Sequence, residues 1–335
     1  MKKASIIVLN YNGKRYIKDC LDSVLKQSYP NYEIIVVDNN SSDNSISIIE
    51  KYSKAKLIKN KENFGFSKGN NIGIKSANGD YIILLNMDTV VNRDWLKELI
   101  KIAETENNIG ICQSKILLFD DRSRINTTGN IIHYLGFGYC GECGKKDYQM
   151  DVREITYASG ASMLIKKHIL DKIGYFDESL FMYQEDLDFG WRARLFGYKI
   201  VLAPKSIVYH KYKFDKNKNK MYYAERNRLI VLLKNYSFKS LLLISPALIL
   251  NEVGIFFYFI KEMIPHKKIN SYFSILMNFN KIMENRMYVQ KNRIVNDKEL
   301  FKHFNKNFEF SEIDSSFQRL FNLIFKRYRE LVLKI

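Results

Sequence analysis

Cysteine is scarce in this sequence, with four residues in 335. That count excludes a disulfide framework and points to a reducing, cytoplasmic compartment. A long apolar run is also missing at the amino terminus. Met1-Lys2-Lys3-Ala4-Ser5 passes straight into Ile6-Ile7-Val8-Leu9, which is too short for the core of a signal peptide. Cys140-Gly141-Glu142-Cys143 has CxxC spacing, but a second such pair is lacking. Only Cys112 and His133 are left to complete a structural zinc site, so two reduced thiols in a Gly-rich loop are the favoured reading. No recognised nucleic-acid-binding motif accompanies the charge of +17.

What is present is apolar material in quantity: 46% hydrophobic and 14% aromatic residues, enough to build a core and to set disorder aside. The length accommodates one large domain and a smaller appendage. The charge is unevenly spread. Residues 211–335 hold 24 Lys and Arg against 11 Asp and Glu, whereas residues 1–210 hold 29 against 25. A basic tail of this kind is drawn to nucleic acid or to an anionic membrane.

The most informative stretch is Tyr81-Ile82-Ile83-Leu84-Leu85-Asn86-Met87-Asp88. Its uninterrupted apolar run reads as a strand buried on both faces of a parallel sheet. Such sheets bind ligands beyond the carboxyl ends of their strands. Asp88 with Asn86 two positions before it suits a hard divalent cation carrying a diphosphate. The competing reading makes Asp88 a turn residue capping a helix that starts near Asn92.

Similar units precede it. Ser5–Leu9 reads as a strand ending in Asn10-Tyr11-Asn12-Gly13, followed by a helix over Tyr16–Leu25. Tyr32–Val37 reads as a second strand ending in Asp38, with Ser42 or Asp43 capping a helix to about Tyr52. Asp38 is either the acceptor for a base N–H or ribose hydroxyl, or the partner of a helix cap. In Asn63-Phe64-Gly65-Phe66-Ser67-Lys68-Gly69-Asn70-Asn71-Ile72-Gly73 the glycines recur every fourth residue. This is not a GxGxxG loop; it leaves one helix face bare of side chains for close backbone approach. Trp95–Ala103 reads as a helix, Ile109–Ser114 as a strand, and Arg124–Tyr134 as strand or hairpin.

Farther on, Leu187, Trp191 and Leu195 mark a helix starting near Glu185. Acids in a first turn are favoured by the helix dipole. Three carboxylates within four residues, Glu185, Asp186 and Asp188, also repel one another, which makes sense if one must accept a proton. His210 follows strand-like Tyr198–Ala203 and Ser206–Tyr209, as a metal ligand or as a structural histidine. Leu241–Ile260 is long enough to cross a bilayer, yet contains Pro246, Asn251 and Glu252. A helix lying in the membrane interface is preferred over a crossing helix or an ordinary core helix.

In this order, the stretches at Asn10–Asn12, Asp38–Asp43, Asn63–Phe66, Gly69–Gly73, Leu85–Asp88, Gly160-Ala161, Gly174–Glu178, Glu185–Asp188 and His210 resemble glycosyltransferase family 2 over roughly residues 4–235. The nearest likeness is to its rhamnosyltransferase-like and cell-surface polysaccharide branch. The resemblance implies an α/β domain of the GT-A fold over residues 1–235, a Rossmann-like, mainly parallel mixed sheet flanked by helices. Residues 236–335 would form a helical, basic, membrane-associating region. It implies an inverting, metal-dependent transfer of a sugar from a UDP-, dTDP- or GDP-sugar to a lipid-linked or glycan acceptor, at the cytoplasmic face of the membrane.

The same resemblance implies residue roles. Asn10, Tyr11, Asp38, Asn63, Gly65, Asn70 and Asn86 would bind the donor. Asp88 and His210 would hold Mn²⁺ or Mg²⁺, and Asp186, beside Glu185, would be the general base. Asn86 stands where the family's Asp-x-Asp motif has its first acid, which brings no charge to the metal. Trp191 and Arg192 would touch the acceptor, unless Arg192 or Arg194 is ion-paired on its helix. A nucleotidyltransferase is disfavoured because Asn10–Gly13 supplies no Gly-rich, Arg/Lys-bearing phosphate loop. A catalytically weak nucleotide-sugar-binding module is the remaining alternative, supported by Asn86 and opposed by Asp88 and Asp186.

Overall fold

The computed structural model describes residues 1–211, 218–305, 322 and 325–330. The rest of the basic tail from residue 306 onward lies outside the described residues. The chain divides into two compact units. The first comprises residues 1–130, 140–193 and the chain from 198 to the end of the strand region; the second comprises 131–139, 194–197 and the chain from 215 onward.

In the first unit the strands are β1 (Ala4–Asn10), β2 (Tyr32–Asp38), β3 (Ala55–Lys59), β4 (Tyr81–Asn86), β5 (Thr89–Val91), β6 (Ile109–Leu118) and β7 (Ile125–Thr127). After the short pair β8 (Asn130–Ile132) and β9 (Gly138–Cys140) come β10 (Arg153–Glu154), β11 (Ser162–Lys166) and β12 (Lys199–His210). The main sheet runs β10-β12-β6-β11-β4-β1-β2-β3. Strands β1 to β4 are mutually parallel in that order of neighbours, β11 is antiparallel to both β4 and β6, and β12 runs parallel to β6. The sheet is therefore mixed and mainly parallel. Chain order runs outward from β1 through β2 to β3 on one side and resumes with β4 on the other. A switch point of this kind opens a crevice at the carboxyl ends of β1 and β4.

The apolar runs explain the layering. Tyr81–Leu85 of β4 is buried throughout, as are Ala4–Val8 of β1 and Ile34–Val37 of β2. Burying each such side chain is worth about 1.5–3 kcal/mol relative to leaving it in water. Amphipathic helices α1 (Ile17–Val24), α2 (Ser45–Ile49), α3 (Gly65–Lys75) and α4 (Trp95–Ala103) connect the strands. The short α5 (Leu170–Ile173) precedes α6 (Glu185–Leu195). Helix α2 is shorter than the sequence suggests, ending at Ile49 rather than near Tyr52; Asn44 stands at its N-cap with a left-handed φ of 63°, and Asp43 Oδ1 accepts from the Ser45 N–H at 3.1 Å. The two strand-like stretches before His210 form one strand, β12, whose pairing with β6 slips between Ala203 and Ile207 around Pro204.

The glycines of α3 have a packing role. A Cβ on Gly69 would lie 2.5 Å from the Leu9 side chain, and one on Gly73 would lie 2.5 Å from Ile7 and 3.1 Å from Val37. The bare face is what lets α3 lie directly on β1 and β2.

The second unit contains α7 (Lys218–Asn235), α8 (Phe238–Lys261), α9 (Pro265–Met277), α10 (Phe279–Asn292) and α11 (Asp297–His303). Among the described residues one helix, Phe238–Lys261, is long and apolar enough to cross a membrane, with 22% of its most apolar window buried. Its only charge between Lys239 and Lys261 is Glu252. That acid joins a cluster with Arg228, Glu225 and Lys268: Lys268 Nζ lies 2.8 Å from each carboxylate, Arg228 pairs with both, and the Tyr272 hydroxyl donates to Glu252 at 2.8 Å. Burial acts to raise the Glu225 carboxyl, but Arg228 and Lys268 outweigh it and hold it at about 2. The acid that seemed expensive in an apolar helix is thus satisfied within the helical unit.

Candidate active site

Asn10, Asp38 and Asn86 stand in a row, because Asn10 is in register with Asp38 and Leu9 with Asn86 at the ends of three adjacent parallel strands. Asn10 and Asp38 are fully buried. The Asn10 amide donates to Asp38 Oδ1 at 2.6 Å, while Asp38 also accepts from the Ser41 hydroxyl at 2.6 Å and from the Ser41 N–H at 2.9 Å. Asp38 therefore shapes the loop after β2. Tyr11, 44% exposed, presents its ring at the same edge.

Asn63 accepts from the Gly65 N–H at 2.9 Å and from the Asn39 amide at 3.2 Å. Asn70 donates to the Phe66 carbonyl at 2.9 Å. Gly65 has φ of 73° and is pressed against Phe181, whose carbonyl accepts from Phe66 N–H at 2.6 Å and Ser67 N–H at 3.2 Å. These three residues hold the start of α3 in place beside the crevice.

Asp88 does not cap α4, whose N-cap is Asp94. It sits in the turn between β4 and β5, and the antiparallel pairing of β5 with β12 sets Thr89 opposite His210. The Lys211 N–H donates to the Asp88 carbonyl at 2.9 Å and fixes that turn. As a result His210 Nε2 lies 3.2 Å from Asp88 Oδ1 across 122 positions of sequence. Octahedral Mg²⁺ binds its ligands at about 2.0–2.1 Å, so adjacent ligand atoms stand about 3 Å apart. A carboxylate oxygen and an imidazole nitrogen at this spacing fit such a cation as two neighbouring ligands. Among the described residues no group of three or more His, Cys, Asp and Glu side chains gathers to hold a metal. At this point of the site Asp88 and His210 are the two such side chains that meet. His210 Nδ1 meets Asn126 Oδ1 at 3.0 Å, a buried contact from β7 that the sequence reading did not foresee. The signal was there in a polar run, Asn126-Thr127-Thr128, following directly on a buried Ile125.

On the other side of the β4 end, the Asn86 N–H donates to the Ala161 carbonyl at 3.1 Å. The neighbouring Gly160 N–H points at Asp186 Oδ2 at 3.4 Å, and the Leu187 N–H donates to Oδ1 at 2.8 Å. Two short links thus tie the Asp186 carboxyl to the Asn86–Asp88 turn. Burial pushes the Asp186 carboxyl up to about 6, against the lowering effect of those backbone N–H groups. Glu185 is raised well above the ordinary carboxylate range, first by burial and then by the Asp186 charge. Its Oε2 is buried with no hydrogen-bond partner. Asp188 is paired with Arg192 at 2.9 Å.

Arg192 is only 4% exposed, and its guanidinium also donates to the carbonyls of Ile173 and, at 2.8 Å, Tyr175. Trp191 is wholly buried. The expected acceptor contacts of Trp191 and Arg192 therefore give way to packing and to the ion-paired alternative, because neither side chain reaches the surface. Arg194 is buried as well. The loop before α6 places Phe181, Tyr183 and Gln184 at φ of 59°, 65° and 71°. Left-handed backbone at bulky residues costs of order 1–3 kcal/mol each, and such strain gathers at functional loops. All four cysteines are unpaired, with Cys140 and Cys143 exposed on their turn.

A family model described as glycosyl transferase family 2 matches residues 5–174, half of the chain. The chain belongs to glycosyltransferase family 2. The transferase is 30% identical over 210 residues to a poly-beta-1,6-N-acetyl-D-glucosamine synthase of Staphylococcus epidermidis, covering 61% of this chain and 49% of that protein. It is 29% identical over 198 residues to the low-salt glycan biosynthesis hexosyltransferase Agl10 of Haloferax volcanii, covering 57% of this chain and 61% of that one. The chain spans about half the length of the synthase it matches. Among solved structures, the mannosyltransferase PcManGT of Pyrobaculum calidifontis, in complex with GDP-Man and Mn²⁺, superimposes with a TM-score of 0.53 at 14% identity over 87% of both chains. This likeness is one of fold, and it agrees with the GT-A type of mixed sheet described above. The chain's relatives named above belong to polysaccharide and glycan biosynthesis.

Proposed function

We propose that this glycosyltransferase moves a hexosyl or rhamnosyl unit from a UDP-, dTDP- or GDP-sugar to a lipid-linked glycan acceptor, with inversion, in the synthesis of a cell-surface polysaccharide or glycoconjugate. The observation that carries the reading is the pairing of the Asp88–His210 couple with the enclosed Asp186 carboxyl, on two sides of one strand end. Asp88 and His210 would hold Mn²⁺ or Mg²⁺, which when bound neutralises charge on the departing diphosphate. Asn86 adds an uncharged oxygen beside that couple. Tyr11 offers a ring for the base to stack on, with Asn10 and Asp38 at the floor of that pocket and Asn63, Gly65 and Asn70 supporting its wall. Asp186, raised to about 6, is suited to take the proton of the acceptor hydroxyl near neutral pH. The hydroxyl oxygen attacks the anomeric carbon from the face opposite the nucleoside diphosphate, so one displacement inverts the centre and needs no protein nucleophile. The neighbouring Glu185 carboxyl is pushed well above the ordinary carboxylate range by burial and by the Asp186 charge, which disfavours a second charge beside the base.

The helical unit supports a peripheral or monotopic seat on the cytoplasmic face of a membrane. Leu242, Ile249, Val253 and Phe257 of α8 and Ile269, Phe273, Leu276 and Met277 of α9 are exposed, while Glu252 is engaged with Arg228 and Lys268. An apolar face next to a basic sequence favours an anionic lipid surface.

The test is thermal-shift and turnover screening of the full chain against UDP-, dTDP- and GDP-sugars, with and without Mn²⁺. A metal-dependent response to one nucleotide is expected. A thermal shift without turnover in the presence of a lipid-linked acceptor overturns the catalytic reading in favour of a binding module, and silence in both readouts overturns the nucleotide-sugar reading itself.

A further inference from the structure

We propose that Asn126 is a positioning residue that orients the His210 ring so that its Nε2 faces Asp88. The proposal rests on the metal-holding role of Asp88 and His210 given above and concerns a residue outside that pair.

Asn126 lies at the centre of β7, which pairs antiparallel with β6, the strand that also carries β12 and His210 on its other edge. The residue is 3% exposed. Its Oδ1 stands 3.0 Å from His210 Nδ1, and its Nδ2 is buried with no hydrogen-bond partner. Leaving a buried amide donor unsatisfied costs of order 1–3 kcal/mol. A strand interior bearing an apolar residue here would avoid that cost. What the amide adds is a fixed partner for the ring.

The chemistry of the contact follows from the two ends of the amide. With Oδ1 toward the ring, the amide accepts from Nδ1–H, so the neutral imidazole has its Nε2 lone pair on the side of Asp88, 3.2 Å away. That is the arrangement a ligand nitrogen requires. With the amide turned over, Nδ2 donates to Nδ1, and Nε2–H faces Asp88 as a hydrogen-bond donor. An asparagine serves both states, whereas a carboxylate in its place serves only the first. Outer partners of metal-bound histidines act in this way, and their loss typically costs 10–100-fold in metal affinity.

The test is Mn²⁺ affinity of the full-length protein, read from the electron paramagnetic resonance signal of free Mn²⁺, without any measurement of transfer. Asn126→Ala is expected to weaken Mn²⁺ binding about tenfold. In a His210→Ala background the same substitution is expected to add less than twofold, since Asn126 acts through the ring. Asn126→Asp, which keeps the acceptor and removes the orphaned donor, is expected to bind at least as tightly as the parent. Mn²⁺ affinity of Asn126→Ala within twofold of the parent overturns the proposal, as does an equal loss in the His210→Ala background. If Asn126→Ala does not fold, a tenfold loss in Asn126→Asp overturns it instead. If Asp88→Ala and His210→Ala both leave Mn²⁺ binding unchanged, the metal reading itself fails and this proposal falls with it.

Discussion

Three carboxylates crowd the first turn of α6, and each is handled differently. Asp188 is ion-paired with Arg192, burial and the Asp186 charge push the Glu185 carboxyl well above the ordinary carboxylate range, and burial pushes the Asp186 carboxyl up to about 6. Repulsion among the acids was legible from their spacing, but which one keeps a usable charge depended on an arginine one turn on and on the Gly160 and Leu187 N–H groups. Asp186→Asn is expected to retain nucleotide-sugar binding and to lose transfer by a factor of about 10²–10⁴. In the parent, transfer should rise with pH through about 6 and then level off; a profile flat between pH 5 and 8 removes Asp186 as the base. Stability moves the opposite way. The unfolded carboxyl releases its proton near 3.8 and the folded one near 6, so the folded chain binds more protons in that window and stability falls as pH rises through it. Asp186→Asn should therefore be the more stable protein at pH 8, by up to about 3 kcal/mol, with the gap closing toward pH 4 in denaturant titrations.

Helix α3 and the β5–β12 pair show what elements contribute. Four-residue glycine spacing made a bare helix face readable in the sequence, and the structure lays that face on β1 and β2. Gly73→Ala gains about 1 kcal/mol of helix propensity, but forces a Cβ against Ile7 and Val37, a clash that costs about 1–3 kcal/mol. The β-branched strand residues have little room to turn aside, so a net loss of about 1 kcal/mol and a Tm lower by a few degrees are expected. An unchanged or raised Tm would mean that the helix can ride up at no cost. Strands β1, β2 and β4 and helix α4 were recognisable because their periodicities are local. The hydrogen bonds that draw Asp88 to His210 were not, because β5 is three residues long and its partner lies more than a hundred positions away. The left-handed Phe181–Gln184 loop was also invisible, since no glycine or asparagine marks it.

At the scale of the molecule, charge and apolar surface are divided along the chain. The first 210 residues are nearly balanced, and the remainder is strongly basic. On the helical unit, Leu242, Phe257 and Phe273 are each more than 60% exposed. Replacing all three with serine leaves the buried charge cluster untouched. The triple variant is expected to sediment with phosphatidylglycerol-containing vesicles at least tenfold less than the parent, because each apolar side chain inserted into lipid contributes about 1.5–3 kcal/mol. Raised salt should weaken the parent's binding further through screening of the basic surface. Undiminished sedimentation of the variant would sink the membrane-seat reading.

The sequence by itself determined the strand-and-helix alternation, the polar loops at the strand ends, the bare face of α3 and the family to which these stretches belong. The first three follow from residue types at short, regular spacing, and the family from the resemblance of those stretches, in their order, to its members. It also singled out Asp38, Asp88 and His210, because they directly follow apolar runs that end at the ligand edge of the sheet, and Asp186, because three acids crowd the start of one helix. Only the tertiary structure decided what those groups face. Asp88 meets His210 because β5 pairs with β12, His210 meets Asn126 across β6, Arg192 turns inward to Asp188, and Glu252 finds Arg228 and Lys268. Each of those outcomes is a distance between residues far apart in the chain or a choice of direction for one side chain. Local propensity does not encode either, since both are set by the packing of elements that the sequence specifies one at a time.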